Sequence, residues 1–213
     1  MDDISRSPLA DEIFRYISTA FPRGTIFFLE DLPDFPGRSA DCVRMTMSEL
    51  VRDSYSIIRI ARGVYCYPRL DASAKVMVPD EQAVAAALAR RWRVRIAPCG
   101  APAAYLAGLT PVSGYPLRFV SDGSEQHFDL QNGRRIEFVR RKSVKVFDFL
   151  DEGFRNLVEG LRWLGRDGVK EWECAVAREA LKSVPSSSFS HDVLLAPGWI
   201  RDLLFRLRAD AVL

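Results

Sequence analysis

The most restrictive feature of the sequence is a pair of β-rich runs, Ile57-Ile58-Arg59-Ile60 and Val64-Tyr65-Cys66-Tyr67, joined by Ala61-Arg62-Gly63. β-Branched and aromatic residues favour a pleated backbone, and the glycine supplies the freedom a tight connection needs. Residues 57–67 are therefore expected to form a hairpin. The chain ahead of it is equally well punctuated. Residues 25–28 read as a short strand and 29–32 as a short helix, with Pro33, Pro36 and Gly37 marking a turn. Ser39 can cap a helix over 40–52, on which Val43, Met47 and Leu50, with Val51, recur as an inward stripe. Further upstream, Ser7-Pro8 opens a helix carrying Leu9, Ile13 and Ile17 on one side, with Tyr16 and Ala20. That helix ends near Phe21-Pro22, and Gly24 breaks the chain.

Helix, strand, short helix, turn, helix and hairpin is the order of a winged helix-turn-helix, whose second helix lies in the DNA major groove. The outward face of the 40–52 helix carries Asp41, Arg44, Met45 and Ser48, with Arg38 and Ser39 at its N-terminal end. Between Arg38 and Arg69 six arginines (38, 44, 52, 59, 62 and 69) face only Asp41, Glu49 and Asp53. The whole chain has a formal charge of +2, too small for a bulk polyanion binder, so a nucleic-acid footprint must be local. This stretch has the local asymmetry that phosphate contacts need. Arg44 and Ser48 are the candidates for base-edge contact, and Arg38, Arg59 and Arg62 for phosphate or minor-groove contact. Ser39 and Met45 complete the candidate surface. The alternative for the same face is an ordinary solvated helix side.

Beyond it, residues 70–75 read as a linker of small and polar residues. A helix starts at 78–80 and runs to about 91, and a strand over 93–97 leads into a small-residue helix over 98–110. Residues 117–121, 126–130 and 134–139 read as strands, with Asp122-Gly123 and Asn132-Gly133 as turns. After Lys145 the pattern is helical. Leu150, Phe154, Leu157, Leu161 and Leu164 share one face, a second helix spans 170–183, Pro185 to Ser188 reads as a flexible loop, and a last helix spans 199–207. The expectation is an α+β protein in three parts. These are a winged module over 1–70, a mixed α/β core over 76–145, and a helical extension over 146–213 that packs on that core.

A chain of 213 residues is long enough to bury a real core, and its 48% hydrophobic and 27% charged content is ordinary for a globular protein. No run approaches the ~18 apolar residues of a membrane helix. No signal peptide is visible, and Cys42, Cys66, Cys99 and Cys174 form no C-x-x-C pair. A cytoplasmic protein with reduced, mostly buried thiols is expected. Enzyme chemistry finds little purchase. Cys99 lacks an identifiable base, only His127 and His191 are present, and no metal-ligand spacing or phosphate-binding glycine loop occurs. The remaining enzymatic alternative is a nuclease fused to the winged module, with Asp122, Asp129 and Glu137 holding Mg²⁺. Glu137-Phe138-Val139 lacks the E-x-K arrangement, so a non-enzyme without metal or cofactor is expected.

Met47-Ser48-Glu49-Leu50, Ile57-Ile58-Arg59-Ile60 and Arg62-Gly63-Val64-Tyr65 together resemble the N-terminal winged helix-turn-helix of AbiEi-type antitoxins, the transcriptional regulators of type IV toxin–antitoxin systems. Pro98-Cys99-Gly100 through Ala103-Ala104 to Gly108-Leu109 is similar to a second segment of that family. The resemblance spans roughly residues 4–142. It departs at Ser54-Tyr55, where a glycine is often found, and at Pro102, which stiffens the second motif. It implies a repressor that binds double-stranded DNA at inverted repeats in its own operon and counteracts a nucleotidyltransferase-like toxin. Type IV antitoxins act without a stable complex, so direct contact with the toxin is not implied. Two other classes stay open: a winged module turned protein-interaction scaffold, which the acidic first helix would suit, and a regulator with a small effector in its second domain.

Overall fold

The computed structural model describes residues 7–53, 56–141, 143 and 145–210. Ser54-Tyr55, where the antitoxin pattern is departed from, lie outside the described residues. The chain is mixed α+β and divides into two compact units. The first takes residues up to Leu88 together with Asp129–Gly133, and the second takes Ala89–Phe128 and Arg134 onward.

In the first unit, α1 (Pro8–Ala20) starts as its sequence dictates: Ser7 Oγ accepts from Ala10 N at 3.2 Å, and Pro8 occupies the first turn. Leu9, Ala10, Ile13 and Ile17 are buried on its inner side. β1 (Thr25–Phe28) follows, then a single 3-10 turn at Leu29–Asp31, held by Asp31 Oδ2 accepting from Phe28 N at 2.7 Å. α2 (Ala40–Asp53) precedes β2 (Ile58–Ala61) and β3 (Val64–Tyr67). The three strands form an antiparallel sheet in the order β1-β3-β2. Ile13, Ile17, Phe27, Met47, Leu50, Ile57 and Tyr65 share one core. Within it Phe27 stacks on Phe21 and Tyr65, with ring centroids 5.0 and 5.8 Å away. Each such side chain contributes roughly 1.5–3 kcal/mol when fully buried, so the α2 stripe is anchored from within.

The hairpin is tighter than its sequence suggested. Ala61 pairs with Val64, leaving Arg62-Gly63 as the tip, and only Gly63 has a positive φ, +75°. The ladder slips between Arg59 and Ala61, so Ile60 is the extra residue of a bulge. Its carbonyl is not orphaned: Gln131 N donates to Ile60 O at 2.9 Å. Residues 70–75 are not the expected linker. β4 (Arg69–Leu70) pairs with β5 (Val76–Met77), and Asp71 Oδ1 closes the turn by accepting from Ser73 N and Lys75 N at 2.8 and 2.9 Å. A short aspartate that bonds its own downstream backbone turned a polar stretch into a turn.

α3 (Glu81–Trp92) begins with Asp80 Oδ1 accepting from Ala83 N at 2.7 Å. In the second unit β6 (Ile96–Pro98), β7 (Leu117–Ser121), β8 (Gln126–Asp129) and β9 (Arg135–Arg140) form a sheet in the order β6-β7-β9-β8, with β7 and β9 parallel. Between β6 and β7 lies α4 (Ala101–Leu106). The helical part comprises α5 (Glu152–Leu164), α6 (Glu171–Ser183), α7 (Ser186–Asp192) and α8 (Gly198–Asp210). Phe154, Leu157, Leu161, Leu181, Ile200 and Leu204 form one core with Ala104 and Leu109, so this part shares its interior with the segment around α4.

Two expectations fail here for physical reasons. Leu150 precedes the N-cap Asp151 and is 66% exposed, so the buried stripe begins at Phe154. Residues 186–188 belong to α7 rather than to a loop. Phe189 on that helix is buried edge-on against Phe154 at 5.6 Å, a tertiary contact that outweighs the poor helix propensity of three serines. The small residues of α4 meet α5 backbone to backbone: a Cβ at Gly160 would lie 2.7 Å from Ala104 Cα and 2.9 Å from Leu109 Cδ1. Gly160→Ala would gain up to ~1 kcal/mol in helix propensity, yet it is expected to lower stability by about 1–3 kcal/mol through overpacking. Urea unfolding of the two proteins measures the difference. Among the described residues no helix is long and apolar enough to cross a membrane.

Candidate nucleic-acid interface

α2 separates its residues cleanly. Met47 is fully buried and Leu50 nearly so, while Arg38, Ser39, Arg44, Met45 and Ser48 are all exposed. Met45, at 67% exposure, is an apolar side chain standing in solvent amid polar neighbours. Several of these groups already have partners. Ser39 Oγ accepts from Cys42 N at 3.3 Å as the helix cap, and Ser48 Oγ donates to Arg44 O at 3.0 Å. The Arg44 guanidinium is paired with Asp41 one turn earlier. Beside the N-terminal half of α2, Leu32, Phe35 and Val43 line a cavity of about 390 Å³ with Arg38 and Arg44 on its wall.

The hairpin brings in the other two arginines. Arg62 stands exposed at the tip, and Arg59, half-buried on β2, lies directly across from Tyr65 of β3. Arg59 Nε donates to Ala61 O at 3.3 Å. Burial pushes the Tyr65 hydroxyl above its ordinary pKa, and the positive charges of Arg59 and Arg44 act on it in the opposite sense. One arginine from α2 and one from the hairpin therefore act electrostatically on the same hydroxyl. Tyr65 was not singled out by the sequence. The signal was its alternation with Arg59 across the hairpin, but the bulge that sets their register is invisible before folding.

Arg69 does not belong to this surface. Its Nε donates to Arg23 O at 3.2 Å, and its side chain fills the space beside Gly24. Arg23 in turn donates to Pro68 O at 3.2 Å and covers the Tyr67 ring at 4.7 Å. Both serve the junction of β1 and β3.

The carboxylates considered for metal binding are not gathered. Asp122 accepts from Arg95 N and Nε, both at 2.8 Å, and the Arg95 guanidinium bond holds its carboxyl below the usual range. Glu137 Oε2 accepts from Arg118 Nε and a second guanidinium nitrogen at 3.0 and 2.7 Å. Asp129 ends β8. No group of three or more His, Cys, Asp or Glu that could hold a metal ion occurs among the described residues.

All four cysteines are free, and Cys66 and Cys99 are buried. Burial pushes each of these two thiols up to about 11. At pH 8 only ~0.1% of such a thiol is thiolate, the form that reacts. Iodoacetamide on the native protein is therefore expected to spare Cys66 and Cys99, and on the denatured protein to label all four, as read from peptide masses. A folded pKa above the ordinary value means these thiols contribute stability in full below pH ~9, lost as pH rises through about 11.

Fold and surface together define a mixed α+β protein of two compact units, one carrying a basic helix-and-hairpin face. A family model described as a family of unknown function (DUF6088) matches residues 13–188, and the chain belongs to that family. It is similar to the crystal structure of the RV2827C protein from Mycobacterium tuberculosis, with a TM-score of 0.55 and 15% identity over 95% of this chain and 78% of that one. At that identity the likeness concerns the fold alone. No curated protein matches the chain.

Proposed function

We propose that the first unit is a winged helix-turn-helix that binds double-stranded DNA, with α2 as recognition helix and the β2–β3 hairpin as wing. The observation that carries this reading is the exposed face of α2, which holds Arg44, Met45 and Ser48 with Arg38 just ahead of it, in the same unit as a hairpin that carries Arg59 and Arg62. Arg62 extends the positive edge to the hairpin tip, and Arg38 extends it to the start of α2. Arg44 and Ser48 read base edges, while Arg38, Arg59 and Arg62 take phosphates, with Ser39 and Met45 between them. The Arg44–Asp41 pair does not stand in the way. An exposed pair of this kind is worth ~0.2–1 kcal/mol, whereas a bidentate contact to guanine discriminates by ~1–3 kcal/mol, so the exchange favours DNA.

The finer assignment is an AbiEi-type antitoxin that represses its own operon at inverted repeats and counteracts a nucleotidyltransferase-like toxin in the cytoplasm. It is supported by the resemblance of residues 47–50, 57–60, 62–65 and 98–109 to that family. A gel shift with the DNA upstream of the protein's own reading frame tests the DNA part. Co-expression with the product of the adjacent gene tests the antitoxin part. Retarded DNA and relief of growth arrest are expected, and a neighbouring product whose toxicity the protein leaves untouched would remove the antitoxin assignment.

A further inference from the structure

In the second unit α6 and α8 each turn one face toward a cleft of about 750 Å³. Glu171 and Arg178 line it from α6, and Trp199, Asp202 and Arg206 from α8, at i, i+3 and i+7; Arg166 closes one end. A surface this charged normally neutralises itself. Asp202 and Arg206 stand at the i,i+4 spacing at which opposite charges pair along a helix. Yet among the described residues no hydrogen bond or ion pair holds the side chains of Arg166, Glu171, Asp202 or Arg206. Behind these charges Trp199, Leu203 and Leu207 supply an apolar floor.

The size and the mixture of charges restrict what fits. The volume lies within the roughly 300–1,000 Å³ of small-molecule sites, too large for a lone inorganic anion. The guanidinium groups of Arg166 and Arg206 call for an anionic group, and two carboxylates repel a ligand that is anionic throughout. The occupant must offer an anion, several hydroxyl or amino donors, and a flat or apolar body.

We propose that this cleft binds a nucleoside monophosphate. The phosphate accepts from Arg166 and Arg206, the sugar hydroxyls donate to Asp202 and Glu171, and the base rests on the floor beside Trp199. This assignment does not rest on the DNA-binding reading, because it concerns other residues in the other unit. The test is thermal unfolding and calorimetry of the full chain with AMP, GMP, CMP or UMP, against inorganic phosphate and adenosine. At least one nucleotide is expected to bind ten times or more tightly than either fragment and to raise Tm by about 3–6 °C at a ligand concentration ten times Kd. Asp202→Asn with Arg206→Gln, both at exposed positions, is expected to keep the ligand-free Tm and weaken nucleotide binding at least tenfold. The proposal is overturned by no nucleotide binding at 10 mM, by phosphate alone binding equally well, or by full binding in the double variant. Gel shifts of the same double variant keep this outcome distinct from a failure of the DNA reading.

Discussion

Arg141→Met is expected to lower the unfolding free energy by about 3–5 kcal/mol. Glu159 on α5 is 1% exposed, and its Oε2 lies 2.6 Å from a guanidinium nitrogen of Arg141, just beyond β9. Among the described residues the other cation paired with it, Arg162, reaches Oε1 only at 3.4 Å and is 44% exposed. Removing Arg141 strands a carboxylate where water cannot reach it, and a partly solvated arginine at longer range compensates little. The effect comes from the stranded charge rather than from the pair itself, which distinguishes it from a packing defect. Adding Glu159→Gln to Arg141→Met is therefore expected to recover part of the loss, since a buried amide costs less than a buried anion. Denaturant titrations of the wild type, Arg141→Met and the double variant check both statements. A double variant less stable than Arg141→Met would contradict the electrostatic account.

Arg44→Ala combined with Arg62→Ala carries the second large effect. Loss of a guanine contact at ~1–3 kcal/mol and of a phosphate contact at about 1 kcal/mol should together weaken DNA binding some 30- to 1,000-fold. The two substitutions should do so differently: Arg44→Ala relaxes preference at one base position, and Arg62→Ala weakens all sequences alike. Asp41→Asn works in the opposite sense, because it frees Arg44 and removes a negative charge from the face. Arg69→Ala, whose side chain is committed to Arg23 and Gly24, should leave affinity nearly unchanged. Stability of these variants, followed by thermal unfolding, separates lost contact from lost fold.

Features built from local chemistry were legible in the sequence. The Ser7 cap and Pro8 start α1 where expected, the Val43–Met47–Leu50 stripe lies inward on α2, and Gly63 turns the hairpin. What escaped depends on residues far apart in the chain. α7 is helical because Phe189 meets Phe154, 35 positions earlier. Arg69 looks like a wing cation until the Arg23 carbonyl, 46 residues away, is found accepting its hydrogen bond. Glu159 sits within an amphipathic run, and nothing local announces that Arg141 covers it. The candidate surface shows the same limit. Its arginines can be counted in the sequence, but that Arg59 lies directly across from Tyr65 follows from the register that the bulge at Ile60 sets.

The central claim is that the helix-and-hairpin face of the first unit binds DNA through phosphate and base contacts. Fluorescence anisotropy of a duplex from upstream of the protein's own reading frame, titrated between roughly 50 and 200 mM salt, tests it most directly. The wild type is expected to lose affinity steeply with added salt, and Arg62→Ala to make the log–log slope shallower by ~0.9. A duplex that fails to bind, an affinity indifferent to salt, or a slope unchanged by Arg62→Ala with binding untouched by Arg44→Ala would contradict it.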